Sequence, residues 1–230
     1  MYRAVIFDVD GTLVDSNDAH AHAWVMALAE GGRRVEFSRV RPLIGMGGDK
    51  LLPEVAGTAI DSPEGQAIDA RRREIFQREF LPQLKPTRGA RDLLEWLRDD
   101  RMTLVVASSA SKPELQQLLH VAGAEKLMES TTSSDDADRS KPDPDIVKAA
   151  LDRTGGPAAE AIMIGDTPYD VEAALRAGIE IIALRSGGWT DPDLTGAIAV
   201  YADPADLLEH YDLSPFRRPA PGRSAPVPSA

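Results

Sequence analysis

The stretch VIFDVDGTLVDS, residues 5–16, runs from apolar residues straight into two aspartates, Asp8 and Asp10. Carboxylates crowded at the end of a buried strand repel one another and lose hydration, so something cationic has to sit among them. Three later segments offer complementary groups. ASSASKPE, 107–114, carries Ser109 just before a helix start, where free N–H groups favour an anion; its Ser111 and Glu114 have the spacing of a capping box. RSKPDPD, 139–145, places Lys141 before a second helix start, with Asp143 as the expected N-cap and Pro144 at the first helical position. IMIGDTPYD, 162–170, ends an apolar run on Asp166, with Asp170 four residues further on and also suited to cap the following helix.

Four carboxylates, a hydroxyl and a lysine make an oxygen-rich set that suits a hard cation, magnesium above all. The lysine and the helix N-termini suit a phosphate. Together they describe phosphoryl transfer, where catalysis is largely positioning and charge neutralisation and where a carboxylate can be the nucleophile. With no cysteine among 230 residues, a disulfide framework and a thiolate zinc site are excluded. A net charge of −11 argues against broad nucleic-acid binding, while a locally cationic site can still take an anionic substrate. No apolar run approaches membrane-span length and the first residues lack a signal-peptide layout, so a cytoplasmic chain without a membrane partner is expected.

For these side chains to meet, the segments before them must be neighbouring strands. Short apolar runs at 3–7, 103–107, 161–164 and 179–184, with weaker ones at 127–129 and 197–201, are continuous rather than alternating, as in strands covered on both faces. Helical patterns at 89–98, 114–121, 145–153 and 171–177 separate them. This predicts an α/β fold with a doubly wound, Rossmann-like parallel sheet, whose ligands bind beyond the carboxyl ends of the strands. Residues 19–30, 38–55 with a glycine break, and 63–80 read as helices with no strand among them. So long a helical block exceeds a simple crossover and reads as an inserted domain. The expected division is a core of 1–14 and 86–213, a helical insertion of 15–85, and a disordered Pro/Arg-rich tail of 214–230.

These motifs, in this order and on these elements, resemble the haloacid dehalogenase superfamily with a C1-type helical cap, in its phosphoglycolate phosphatase and beta-phosphoglucomutase-like branch. The motifs are DVDGT, the serine of VVASSAS, Lys141 in SKPDPD, and IMIGDTPYD. The resemblance implies that Asp8 is a nucleophile forming an aspartyl-phosphate, and that Asp10 is the general acid and base. It implies magnesium on Asp8, the backbone carbonyl of Asp10, and Asp166, with Asp170 at or beside the ion. Ser109 and Lys141 would grip the phosphoryl oxygens, with Gly11, Thr12 and Ala110 around them; Ser108 is the competing register for Ser109. His20, with Trp24 at helical spacing, matches a hinge histidine of the sugar-phosphate enzymes. The family's dehalogenases lack an acid where Asp10 stands, so phosphoester chemistry is expected.

In the insertion, the glycine-rich LIGMGGDKLL reads as a loop covering the site, flanked by Arg41 and Lys50 as candidate contacts to the distal part of a substrate. Arg71 to Arg73 read as a solvated face. The expected activity is magnesium-dependent hydrolysis of a small phosphorylated metabolite, a sugar phosphate or phosphoglycolate, by a monomer or homodimer. A beta-phosphoglucomutase-like isomerase is the alternative, and a non-catalytic phosphate-binding relative a more distant one.

Overall fold

Apolar runs become strands here because both of their faces are covered. In the computed structural model, which describes residues 1–217, six strands form one sheet: β1 (Ala4–Phe7), β2 (Thr103–Ala107), β3 (Ser130–Thr132), β4 (Ala161–Gly165), β5 (Glu180–Leu184) and β6 (Ala199–Tyr201). All neighbours are parallel, in the order β3-β2-β1-β4-β5-β6. Phe7 stands level with Val106 on one side and Ile164 on the other. The winding reverses between β1 and β4, and such a switch point opens a crevice beyond the strand ends. The expected strand at 127–129 falls at Ser130–Thr132 instead. Leu127 and Met128 both turn back to the Ala124 carbonyl, and Thr132 extends the sheet edge with its hydroxyl on the Val106 carbonyl at 2.6 Å.

Between Val14 and Pro86 the chain forms no strand of the sheet and four α-helices: α1 (Asn17–Glu30), α2 (Phe37–Val40), α3 (Gly48–Ala56) and α4 (Pro63–Ile75), the last continuing into a widened turn over Phe76–Phe80. The 38–55 pattern breaks into separate pieces at Pro42, in a tight turn, and at Gly45, whose φ of +110° suits glycine. The apolar stripe of α1, with Ala21, Trp24, Ala27 and Leu28 buried, packs on Ile68 and Ile75 of α4. The two connections to the sheet lie side by side. Val14 pairs antiparallel with Pro86, the Asp15 amide donates to the Lys85 carbonyl, and the Thr87 amide donates to the Leu13 carbonyl, both at 3.0 Å. We call this helical insertion the cap.

The sheet is sandwiched by α5 (Ala90–Asp99), α6 (Lys112–Ala122) and α9 (Pro204–Glu209) on one face, and by α7 (Asp145–Thr154) and α8 (Pro168–Ala177) on the other. Alternate strand residues divide between them: Val5 and Phe7 pack with Leu94 and Leu118, Ala4 and Ile6 with Val147 and Ala174. The doubly wound fold is therefore as expected. The start of the predicted tail is not: Phe216 is buried, stacked 5.4 Å from Tyr211 and edge-on to Tyr2 at 6.1 Å. Burial of an aromatic side chain with two ring partners offsets much of the chain entropy lost in ordering this segment. The rest of that predicted tail, 218–230, lies outside the described residues.

Candidate active site

Because β1 and β4 are adjacent, their ends deliver Asp8 and Asp166 to the same crevice; the Asp8 amide still continues the ladder to the Ile164 carbonyl at 2.9 Å. Asp170 joins them from the first turn of α8. There Thr167 caps the helix on the Asp170 amide, and Asp170 Oδ2 accepts from the Thr167 amide at 3.0 Å and hydroxyl at 2.7 Å. The N-cap is thus Thr167, with Asp170 as its reciprocal partner. Carboxylate oxygens of Asp8, Asp166 and Asp170 all lie within 4.8 Å of one another. Lys141, 1% exposed, enters from the loop before α7, donating to Asp8 Oδ1 and standing 2.7 Å from Asp170 Oδ1.

Asp166 is oriented by two residues. Thr12 Oγ1 donates to its Oδ1 at 2.9 Å and Asn17 Nδ2 to its Oδ2 at 2.8 Å. Close approach also demands glycine beside it: a Cβ on Gly187 or Gly11 would sit 2.0 or 2.1 Å from Asp166 Oδ2, and Gly11 has φ +76°. Gly11 and Thr12, expected around the phosphate, therefore serve Asp166; the Gly11 amide is taken by the Val14 carbonyl at 2.7 Å.

Burial pushes the Asp8 carboxyl up to about 7, opposed by Lys141 and reinforced by Asp170 and Asp10. Burial, with the charges of Asp170 and Asp8, also raises Asp166 well above the usual carboxylate range. Burial acts downward on Lys141, but the two carboxylates outweigh it and keep the ammonium charged. Three carboxylates thus face one ammonium away from water. The uncompensated charge and all-oxygen donor set fit a divalent cation.

Asp10 points elsewhere. Its Oδ1 lies 2.8 Å from His20 Nε2 and accepts from Ser16 Oγ at 2.5 Å. Two lone pairs would not approach so closely, so a proton lies between ring and carboxyl. Burial acts upward on Asp10, but His20, by charge and hydrogen bond, together with Ser16 and Lys141, holds it below its usual range. Its carboxylate is not among the three that could share a metal; only its backbone carbonyl was expected there. Ser109 and Ala110 line the cavity with Asp8 and Asp10, and the buried Ser109 hydroxyl has no partner. Ser108 is turned inward, accepting from the Ala110 amide at 3.1 Å.

The cap closes the crevice with its Ile44–Gly48 loop and with Trp24 and Arg72. Gly47 donates to Ser140 Oγ at 3.1 Å, and the Tyr169 hydroxyl donates to the Pro42 carbonyl at 2.7 Å. Beside Asp8 and Asp10 the free space is about 60 Å³; it adjoins a chamber of about 230 Å³ that shares Gly47, Gly48, Arg72 and Ser109. Arg41 and Lys50 do not line either space. Arg41 bonds Asp18 at 2.5 Å and the Gly187 carbonyl at 2.7 Å, and Lys50 pairs with Asp143. Asp143 is accordingly not the N-cap of α7; Pro144 holds that position.

Two further expectations change together. Ser111 is the N-cap of α6 but its side chain makes no cap bond, and Glu114, the other half of the expected box, turns to Arg72 of the cap. Arg72 is buried rather than solvated. Its place on the Ile68–Arg72–Ile75 stripe was the available signal, as was Asn17 following the motif at the start of α1.

A family model for haloacid dehalogenase-like hydrolases matches residues 5–184. Phosphoglycolate phosphatase of Pseudomonas syringae pv. syringae is 31% identical over 192 residues, covering 80% of this chain and 70% of that protein. Validoxylamine A 7'-phosphate phosphatase of Streptomyces hygroscopicus subsp. limoneus is 29% identical over 189 residues, covering 81% and 87%. A solved hydrolase structure from Pseudomonas syringae superposes with a TM-score of 0.85 at 31% identity, over 91% of this chain and 98% of that one. Match, topology and the carboxylate–lysine cluster at the switch point agree, and the chain belongs to the haloacid dehalogenase-like hydrolase family.

Proposed function

We propose that this chain is a magnesium-dependent phosphatase that hydrolyses a small phosphorylated metabolite through an aspartyl-phosphate. The observation that carries this reading is Asp8 at the end of β1, bonded to Lys141 and facing Asp166 and Asp170, with Asp10 held by His20 two residues further on. A magnesium ion on Asp8, Asp166, Asp170 and the Asp10 carbonyl supplies the positive charge that lets a dianionic phosphate enter among carboxylates.

Lys141 and the unpartnered Ser109 hydroxyl grip the phosphoryl oxygens. An Asp8 oxygen bonds to phosphorus as the ester P–O bond breaks, and the leaving oxygen keeps the electron pair and takes the proton held at Asp10. Water then attacks phosphorus and returns a proton to Asp10, releasing phosphate and restoring Asp8. The docked cap keeps bulk water away from both steps.

The adjoining chamber of about 230 Å³ is smaller than a typical drug-sized site, which favours a small leaving group. Its walls include Asp49, Asp138, Ser111 and Ser140, together with Asp69 and the two arginines that pair with it, Arg72 and Arg73. Acceptors and hydroxyls of this kind suit a hydroxylated leaving group better than a carboxylate, so a sugar phosphate is favoured over phosphoglycolate. Isomerisation through a bisphosphate would need a free cation in the cap. Arg72 and Arg73 are paired with carboxylates, and Arg41 and Lys50 are turned away, which favours hydrolysis.

The test is a panel of phosphometabolites with magnesium and with chelator, scoring phosphate release and isomer formation, on wild type and Asp8→Asn. Phosphate release that needs magnesium and is abolished in Asp8→Asn is expected; retained turnover in that variant overturns the mechanism.

A further inference from the structure

Four side chains alternate across the seam between cap and sheet domain. Asp10 Oδ1 meets His20 Nε2 at 2.8 Å, and His20 Nδ1 lies 4.0 Å from Glu114 Oε1. Arg72 Nη1 then reaches both Glu114 oxygens, at 3.0 and 2.9 Å. Asp10 and Glu114 belong to the sheet domain, His20 and Arg72 to the cap. The row is largely buried: the side chains of Glu114, His20, Arg72 and Asp10 are 3, 8, 11 and 16% exposed.

Glu114 explains how the row works. A carboxylate in the first turn of a helix would ordinarily serve its own N-cap, and here it does not. Burying it is costly unless it is paired, and the two groups facing it, the Arg72 guanidinium and the His20 ring, both come from the cap. The cap also fixes each of them from behind: Phe76 stacks on His20 with centroids 4.0 Å apart and planes 9° apart, and the Arg72 guanidinium lies 5.3 Å over Trp24. Arg72 lines both spaces, and its Nε is buried without a partner among the described residues. Lifting the cap therefore separates His20 from Asp10 and Arg72 from Glu114 in one movement.

We propose that Glu114 and Arg72 are positioning residues that make proton delivery at Asp10 conditional on a closed cap. Arg72 holds Glu114 against the far edge of the His20 ring; Glu114 in turn keeps Nε2 aimed at Asp10. With the cap open, Asp10 loses the His20 contact that aims its carboxyl, and the proton shared across that contact is no longer presented to the leaving oxygen. The inference rests on the phosphatase reading and adds to it a pair remote from phosphorus.

The distinguishing measurement compares two esters. An alkyl phosphate, the best of the metabolite panel, needs its leaving oxygen protonated; p-nitrophenyl phosphate expels a stable phenolate and does not. The reading is kcat/KM, which covers only the steps through phosphorylation of Asp8, since the later water attack uses Asp10 with either ester. For Glu114→Gln and Arg72→Met it is expected to fall about 30-fold or more on the alkyl ester, part of the roughly 100- to 10,000-fold that general acid–base catalysis supplies. Arg72 also lines the chamber, so the outcome is read as a ratio. The loss on the aryl ester is at least about tenfold smaller than on the alkyl ester, and the alkyl-to-aryl ratio of the double variant is no more than about threefold below that of the poorer single one, as for residues acting as a unit. Arg72→Lys, which keeps the charge, stays within about fivefold of wild type on both esters.

Equal losses on the two esters overturn the proposal, as do losses that multiply in the double variant, because a merely structural pair would behave so. If Glu114→Gln does not fold by circular dichroism, the contrast between Arg72→Met and Arg72→Lys decides the outcome. Failure of the wild type to hydrolyse either ester sinks the phosphatase reading itself, and this proposal with it.

Discussion

The side-chain amide of Asn17, the first residue of α1, donates to Asp166 Oδ2 at 2.8 Å. A cap residue thus orients a carboxylate that ends a sheet strand. Groups that orient ligands in this way commonly change metal affinity by about 10–100-fold when removed. For Asn17→Leu, the magnesium concentration giving half-maximal activity should rise about tenfold or more, with kcat at saturating magnesium within about threefold of wild type. A magnesium titration of activity in both proteins checks this; an unchanged midpoint would remove Asn17 from the metal site.

Lys141 is the single ammonium among three buried carboxylates. Removing one partner from a buried ion pair leaves uncompensated charge and costs about 3–5 kcal/mol. Lys141→Met should therefore lose essentially all turnover and also lower the melting temperature by roughly 10 °C in chelator. Part of that loss should return on adding magnesium, which supplies charge to the same carboxylates. Differential scanning calorimetry with and without the ion reads both effects.

Stability of the metal-free protein should fall as pH rises from about 4 to about 7. Asp8 goes from 3.8 in the unfolded chain to about 7 when folded, and Asp166 is also raised, so the folded state binds more protons across that window. Stability that depends on bound protons is present at the acid end and lost as pH climbs. Asp10 is shifted the other way, but its window lies at and below 3.8, and that of Lys141 lies above 10.5. Thermal unfolding in chelator between pH 5 and 8 should show a falling trend in wild type and a shallower one in Asp166→Asn. Parallel trends in the two proteins would refute the assignment.

The sheet and its strand-end carboxylates were legible because continuous apolar runs and short spacings act locally: a strand that is buried on both faces can end only where its polar residues emerge. Asp166 needed nothing beyond that logic; Lys141 and Asp170 were placed by the helix starts beside them, and their roles followed from the family resemblance. The cross-seam contacts were not legible. Ser111 and Glu114 match a capping box at the level of spacing, and what defeats the match is Arg72, 42 residues earlier in the chain. Arg72 itself looked solvated within a run of three arginines, and only its position on an apolar stripe distinguishes it from its neighbours. Arg41 and Lys50 have the right charge for a substrate, but Asp18 and Asp143 are nearer. Charge on a helix says little about aim until the opposing surface is known.

The chain leaves the sheet domain at Val14 and returns at Pro86, and those two residues are paired with each other. Everything between them hangs from one point on the crevice rim. Such an insertion can be lengthened, shortened or replaced without rethreading a strand or displacing Asp8, because the join remains the same width whatever is attached to it. Evolution, or an engineer, can thus alter which molecules are admitted by exchanging one contiguous stretch of sequence, provided that the residues reaching back to the sheet domain, Asn17, His20 and Arg72, are kept.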